Sequence, residues 1–139
     1  MSEMDRREFV VSCAVISAAF LTGCASMVTH PVPVASGKIQ LSLTQYPELS
    51  RPDGAVKLQP QGMEDPVYVL ASGGAFVAVS PICTHRGCTV DVQGERLVCP
   101  CHGSTYDREG KVLKGPAQRA LSQYRVTRTG DVLVIEVAA

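Results

Sequence analysis

Two short cysteine and histidine clusters constrain this chain more than anything else in it. The first is Cys83-Thr-His-Arg-Gly-Cys88; the second, Cys99-Pro-Cys-His-Gly-Ser104, begins eleven residues after Cys88. Each half holds two cysteines and one histidine. As metal ligands, Cys83 and His85 form a C-x-H pair, and Cys99 and His102 form a C-x-x-H pair. Two thiolates with two imidazoles suit either a zinc ion or a [2Fe–2S] cluster in which histidines replace two cysteines on one iron. Cys88 and Cys101 remain, one per half, and can join the halves covalently. A zinc site has no use for such a brace, whereas a cluster carried on two exposed loops does.

C-T-H-x-G-C followed by C-P-C-H-G-S-x-Y resembles the Rieske iron–sulfur proteins, over roughly residues 74–116. The resemblance implies one Rieske-type [2Fe–2S] cluster. Cys83 and Cys99 would hold the buried ferric iron, and His85 and His102 the outer, redox-active iron near the surface, where electrons and protons are exchanged. Neutral imidazoles in place of thiolate anions make that iron easier to reduce, raising Rieske potentials to about −150 to +300 mV. The resemblance also implies a Cys88–Cys101 disulfide, consistent with an oxidising compartment. It makes Ser104 and Tyr106 hydrogen-bond donors to cluster sulfur, which raises the potential because the donors favour the reduced state. Gly87 and Gly103 are expected to let backbone approach the sulfurs, and Gly115-Pro-Ala117 resembles the family's third loop over the cluster. Arg86 departs from the family pattern. Quinol-oxidising members often carry an apolar residue there, at the tip that docks into cytochrome b.

The 139 residues predict one domain behind a leader. Thirteen Lys and Arg balance thirteen Asp and Glu, so nothing in the charge suggests a nucleic-acid partner. Residues 1–24 read as an export signal. Arg6-Arg7 ahead of an apolar run resembles a twin-arginine signal, and Leu21-Thr-Gly-Cys24 resembles a lipobox with Cys24 as the lipid-attachment site. The rival reading is an uncleaved membrane anchor over residues 9–28, which reaches the required length of about 20 residues only by counting small and polar ones. Either places the protein on the periplasmic side of a bacterial cytoplasmic membrane. Cys13 reads as a small apolar residue of the run. Residues 25–37, with Pro31 and Pro33, read as an extended tether, and His30 as a solvated tether residue.

The domain proper is expected over 38–139. Alternation predicts a strand at 39–43, and segments set off by turns predict strands at 55–58, 67–70, 75–79, 96–98, 105–106, 111–113, 121–127 and 131–137, with loops at 47–54 and 61–66. The expected architecture is all-β, an antiparallel β-sandwich carrying a cluster-binding subdomain at about 82–117. The functional expectation is a one-electron carrier, the iron–sulfur subunit of a membrane quinol-oxidising cytochrome b complex. His85 or His102 would receive the quinol hydrogen bond and proton, and a cytochrome c-like protein would be the acceptor. The alternative is the small subunit of a periplasmic molybdenum oxidase of the arsenite-oxidase kind. A ferredoxin feeding an aromatic-ring dioxygenase is argued against by the export signal, the spare cysteine pair and the two hydroxyls. The chain shows no substrate pocket signature of its own, so catalysis is expected to belong to a complex.

Overall fold

The computed structural model describes residues 26–138. The leader readings, including Arg6-Arg7, Cys13 and the Leu21–Cys24 lipobox, lie outside the described residues. Among the described residues, eleven strands form two sheets, accompanied by one 3-10 helix. The large sheet contains β1 (Thr29–Val32), β2 (Lys38–Ser42), β3 (Ala55–Pro60), β4 (Val67–Ser72), β5 (Ala75–Val79), β10 (Gln123–Thr129) and β11 (Val132–Glu136). The small sheet contains β6 (Asp91–Gln93), β7 (Arg96–Val98), β8 (Thr105–Asp107) and β9 (Val112–Lys114), in that order.

The large sheet runs β1-β3-β4-β5-β10-β11-β2. Strand β10 folds it over: its first two residues pair with Val79 and Ala78 of β5, while Arg125–Thr129 pair with β11. Alternate residues then point inward from both halves. Ile39 and Leu41 of β2 and Leu133 and Ile135 of β11 share one core with Val56, Leu58, Val67 and Val69 of β3 and β4. This is the expected all-β sandwich. Strand β4 is apolar on both faces because both are covered. Val67 and Val69 enter that core, while Tyr68 and Leu70 enter a second one with Val90, Leu97, Tyr106 and Leu121. The β4–β5 hairpin closes through Gly73 and Gly74, at φ +55° and +82°, the two positive φ values of a type I′ turn. The hairpin brings the chain out of β5 toward Cys83.

The expected tether is corrected over Thr29–Val32. This segment is β1, and it pairs in parallel with Lys57–Pro60 of β3, making one parallel pair in an otherwise antiparallel sheet. Proline lacks the N–H of an inner strand but is tolerated on an edge, and β1 is an edge. Val32 is buried, and His30, expected to be solvated, is half-buried with its ring edge-on to Tyr46 at 5.2 Å. The loop expected at 47–54 contains the 3-10 helix Pro47–Ser50, which buries Leu49.

Candidate iron–sulfur centre

The two sequence clusters fold into two six-residue loops of the same design. In the first, the Cys83 N–H donates to the Cys88 carbonyl at 2.7 Å and the Gly87 N–H to the Cys83 carbonyl at 2.9 Å. In the second, the Cys99 N–H donates to the Ser104 carbonyl at 2.8 Å and the Gly103 N–H to the Cys99 carbonyl at 3.0 Å. The fifth residue of each loop is a glycine at φ +79°. A Cβ on either glycine would meet nothing within 4 Å, so among protein atoms the left-handed backbone, not crowding, calls for glycine. The loops are bonded to each other through Cys88 and Cys101, with Cα atoms 6.5 Å apart. That bond is the expected disulfide.

The four remaining candidate ligands divide by depth. Cys83 and Cys99 are each 3% exposed, whereas His85 and His102 are exposed, their ring centroids 5.1 Å apart. The Cys99 sulfur also lies within 4.8 Å of the sulfurs of Cys88 and Cys101, but those two are bonded to each other and offer no ligand. Among the described residues the free cysteines are Cys83 and Cys99.

Each buried sulfur has backbone donors from its own loop. Burial raises the Cys83 thiol, but the Tyr106 hydroxyl and the N–H groups of His85 and Arg86 outweigh it, and the net direction is below the ordinary thiol range. Burial raises the Cys99 thiol, and the negative charge of Cys83 adds to that against the N–H groups of Cys101 and His102, so it sits above. The donors are the third and fourth residues of both loops. Such N–H groups stabilise negative charge on sulfur, which both metal ligation and an added electron require.

Tyr106, wholly buried on β8, places its hydroxyl 3.3 Å from Cys83 Sγ. Burial raises its pKa, and the Cys83 sulfur adds to the rise, so the phenol keeps its proton. The same hydroxyl accepts from the Thr84 N–H at 3.3 Å and lies 3.2 Å from Thr84 Oγ1, which donates to the Arg119 carbonyl at 2.7 Å. A charged sulfur is the stronger acceptor for the single phenol proton. Ser104, also wholly buried, accepts from the Ala117 N–H at 3.0 Å. That leaves its own proton for a further acceptor, and it ties the third loop, with its cis Gly115–Pro116 bond, to the second.

Sequence reasoning missed Thr84 and Arg108. The position of Thr84 between Cys83 and His85 was the available signal. Nothing local marks Arg108, which sits in the β8–β9 turn yet is 3% exposed. Its guanidinium donates to the carbonyls of Ala71 at 2.7 Å, Gly94 at 2.5 Å and Gly54 at 2.5 Å, pinning the small sheet to the large one. Beside it Glu109 accepts from Ser72 Oγ.

Two buried thiols and two exposed imidazoles, one of each on either loop, fit a group with two metal ions, thiolate side inward and imidazole side outward. A single zinc would take all four ligands in one shell. A sequence model of the Rieske [2Fe–2S] domain matches residues 45–125. The chain belongs to the Rieske [2Fe–2S] family. Its cofactor is one Rieske-type cluster. It is 38% identical over 115 residues to the cytochrome b6-f complex iron-sulfur subunit of Chlorobaculum tepidum, covering 81% of this chain and 63% of that protein. It is 30% identical over 149 residues to the subunit of the same name from Synechococcus elongatus, covering 93% of this chain and 82% of that one. The Chlorobaculum thiosulfatiphilum relative is covered over 49% of its length, so this Rieske chain spans about half to two thirds of the two Chlorobaculum relatives. The fold also matches the ferredoxin of carbazole 1,9a-dioxygenase from Nocardioides aromaticivorans. The TM-score is 0.52 at 20% identity, covering 70% of this chain and 94% of that one.

Proposed function

We propose that this Rieske protein is the one-electron carrier of a membrane quinol-oxidising cytochrome b complex, with Cys83, Cys99, His85 and His102 holding its cluster. The carrying observation is the pair of exposed imidazoles, 5.1 Å apart, carried on the same two joined loops as two buried thiols. The names of the Chlorobaculum and Synechococcus relatives support the choice of complex over a molybdenum oxidase. When bound, the cluster supplies a site that takes up one electron at a time. Cys83 and Cys99 keep the inner side of that site dry. His85 and His102 present the outer side, where a ring nitrogen not on metal takes the hydrogen bond and the proton of a quinol hydroxyl. Ser104 and Tyr106 direct their protons at sulfur and set the potential upward.

The reading is tested in membranes of cells lacking the chain. Quinol-dependent reduction of cytochrome c should be lost, restored by the intact chain and not by His102→Ala. Wild-type quinol activity accompanied by loss of a molybdenum-dependent oxidation would instead assign the chain to an oxidase of the arsenite-oxidase kind. Among the described residues no helix is long and apolar enough to cross a membrane. Attachment to the periplasmic face is proposed through lipidated Cys24, on the Leu21–Cys24 lipobox alone. Intact mass of membrane-extracted protein should show a chain starting at an acylated Cys24, and a chain retaining Met1 or Ser2 would favour the uncleaved anchor.

A further inference from the structure

Three six-residue segments form the exposed tip of the small layer: 83–88, 99–104 and 114–119. The Cys88–Cys101 bond joins the first two, Ala117 N–H to Ser104 Oγ joins the last two, and Thr84 Oγ1 to the Arg119 carbonyl joins the first and third. Lys114 stands opposite Thr105 in the β8–β9 register, immediately beside the second loop. The charged residues of the three segments are Arg86, Lys114 and Arg119, all exposed, and no Asp or Glu occurs in any of them. Among the described residues the ion pair formed is Arg125–Glu136 on β10 and β11, and it involves none of the three. The chain as a whole is neutral. Three cations on the segments that carry or adjoin His85 and His102, with no ion-pair partner among the described residues, therefore give this tip a local positive field.

We infer that this cationic tip docks onto the acidic face of the protein that accepts the electron, an inference that rests on the electron-carrier reading above. Burying a cation in an apolar crater carries a desolvation cost that only a paired charge offsets. An acidic partner face turns the same three cations into attraction. Complementary charge mainly accelerates encounter, by about 10- to 1,000-fold, and salt screens it over a Debye length of about 10 Å at 0.1 M. Such steering needs only the local sign of charge at the electron exit, so a neutral molecule is no obstacle.

The test is stopped-flow oxidation of the reduced, full-length holoprotein by two c-type cytochromes, one acidic and one basic. One electron passes from the reduced cluster to ferric haem iron, leaving an oxidised cluster and ferrous haem. The rate with the acidic cytochrome should fall about tenfold as salt rises from about 10 mM to about 500 mM. The rate with the basic cytochrome should start lower and rise. Arg86→Ala combined with Arg119→Ala should flatten both slopes, and Arg86→Glu, which removes the same two units of positive charge, should flatten them equally, while Arg125→Ala leaves them unchanged. Equal salt responses with the two cytochromes, or slopes indifferent to the tip variants, would overturn the inference. So would salt-independent cytochrome kinetics together with tip-dependent binding to phosphatidylglycerol vesicles, which would reassign the cations to lipid headgroups. If the cluster exchanged electrons with neither cytochrome, the carrier reading itself would fall, an outcome distinct from a reaction of the wrong salt dependence.

Discussion

The Tyr106 phenol has one proton and two neighbours that accept it, Cys83 Sγ at 3.3 Å and Thr84 Oγ1 at 3.2 Å. A donor to sulfur stabilises the more negative, reduced state, so its removal lowers the potential. Tyr106→Phe deletes the donor while keeping the buried ring, and Ser104→Ala does the same for the second hydroxyl. If each favours the reduced state by about 1 kcal/mol, each loss lowers the midpoint potential by about 40 mV, from about 59 mV per tenfold change for one electron. Redox titration of the variants reads this directly. A rise, or no change, would remove the residue from any tuning role and leave it a packing group.

Loops and turns carry the next scale. The two six-residue loops have no regular ladder beyond their two closing bonds, and the Cys88–Cys101 bond restrains one against the other across a separation of 13 residues. A cross-link closing a loop of about that length is worth about 3 kcal/mol of restraint. Cys88→Ser should therefore leave a folded chain whose cluster is lost faster, followed as decay of its visible absorbance in air. An unchanged cluster lifetime would make the bond structurally idle. The β8–β9 turn depends on Arg108 in a different way. Replacing it by Met leaves three carbonyls without their buried donor, a cost of about 3–5 kcal/mol in chemical denaturation. Lys at that position should recover less than half, because an ammonium cannot reach three acceptors with a planar fork. A loss under about 1 kcal/mol on Arg108→Met would mean that water replaces the guanidinium at all three carbonyls.

For the whole molecule, the boundary of the folded unit is the quantity at stake. A chain beginning at Lys38 keeps every strand predicted from the sequence but lacks β1. It loses the pairing of Thr29–Val32 with Lys57–Pro60 and uncovers the core around Val32. Burial of one valine and several edge hydrogen bonds together suggest a deficit of about 2–4 kcal/mol against a chain beginning at residue 26. Thermal unfolding of the two truncations compares them. Equal stability would return residues 26–37 to the role of a plain tether.

The candidate donor set can be named without coordinates, because it is local. Cys83 and His85, and Cys99 and His102, are two or three residues apart, and a donor set depends on residue type and short spacing. The strands 39–43 and 75–79 were legible for a similar reason: alternation in the first reports a face toward a core, and the second is a short apolar run set off by the turn at Gly73-Gly74. The short strands β1 and β6 gave no such alternation, and their pairing depends on partners distant in sequence. Only the tertiary structure decided which hydroxyl meets which sulfur, since Tyr106 and Cys83 are 23 residues apart and meet through the packing of β8 beneath the first loop. It likewise decided that Arg108, a turn residue by its neighbours, is a buried fork between two sheets, and that three scattered cations share one tip. Spacing along the chain carries coordination chemistry; burial and the summed charge of a surface are properties of residues brought together from far apart.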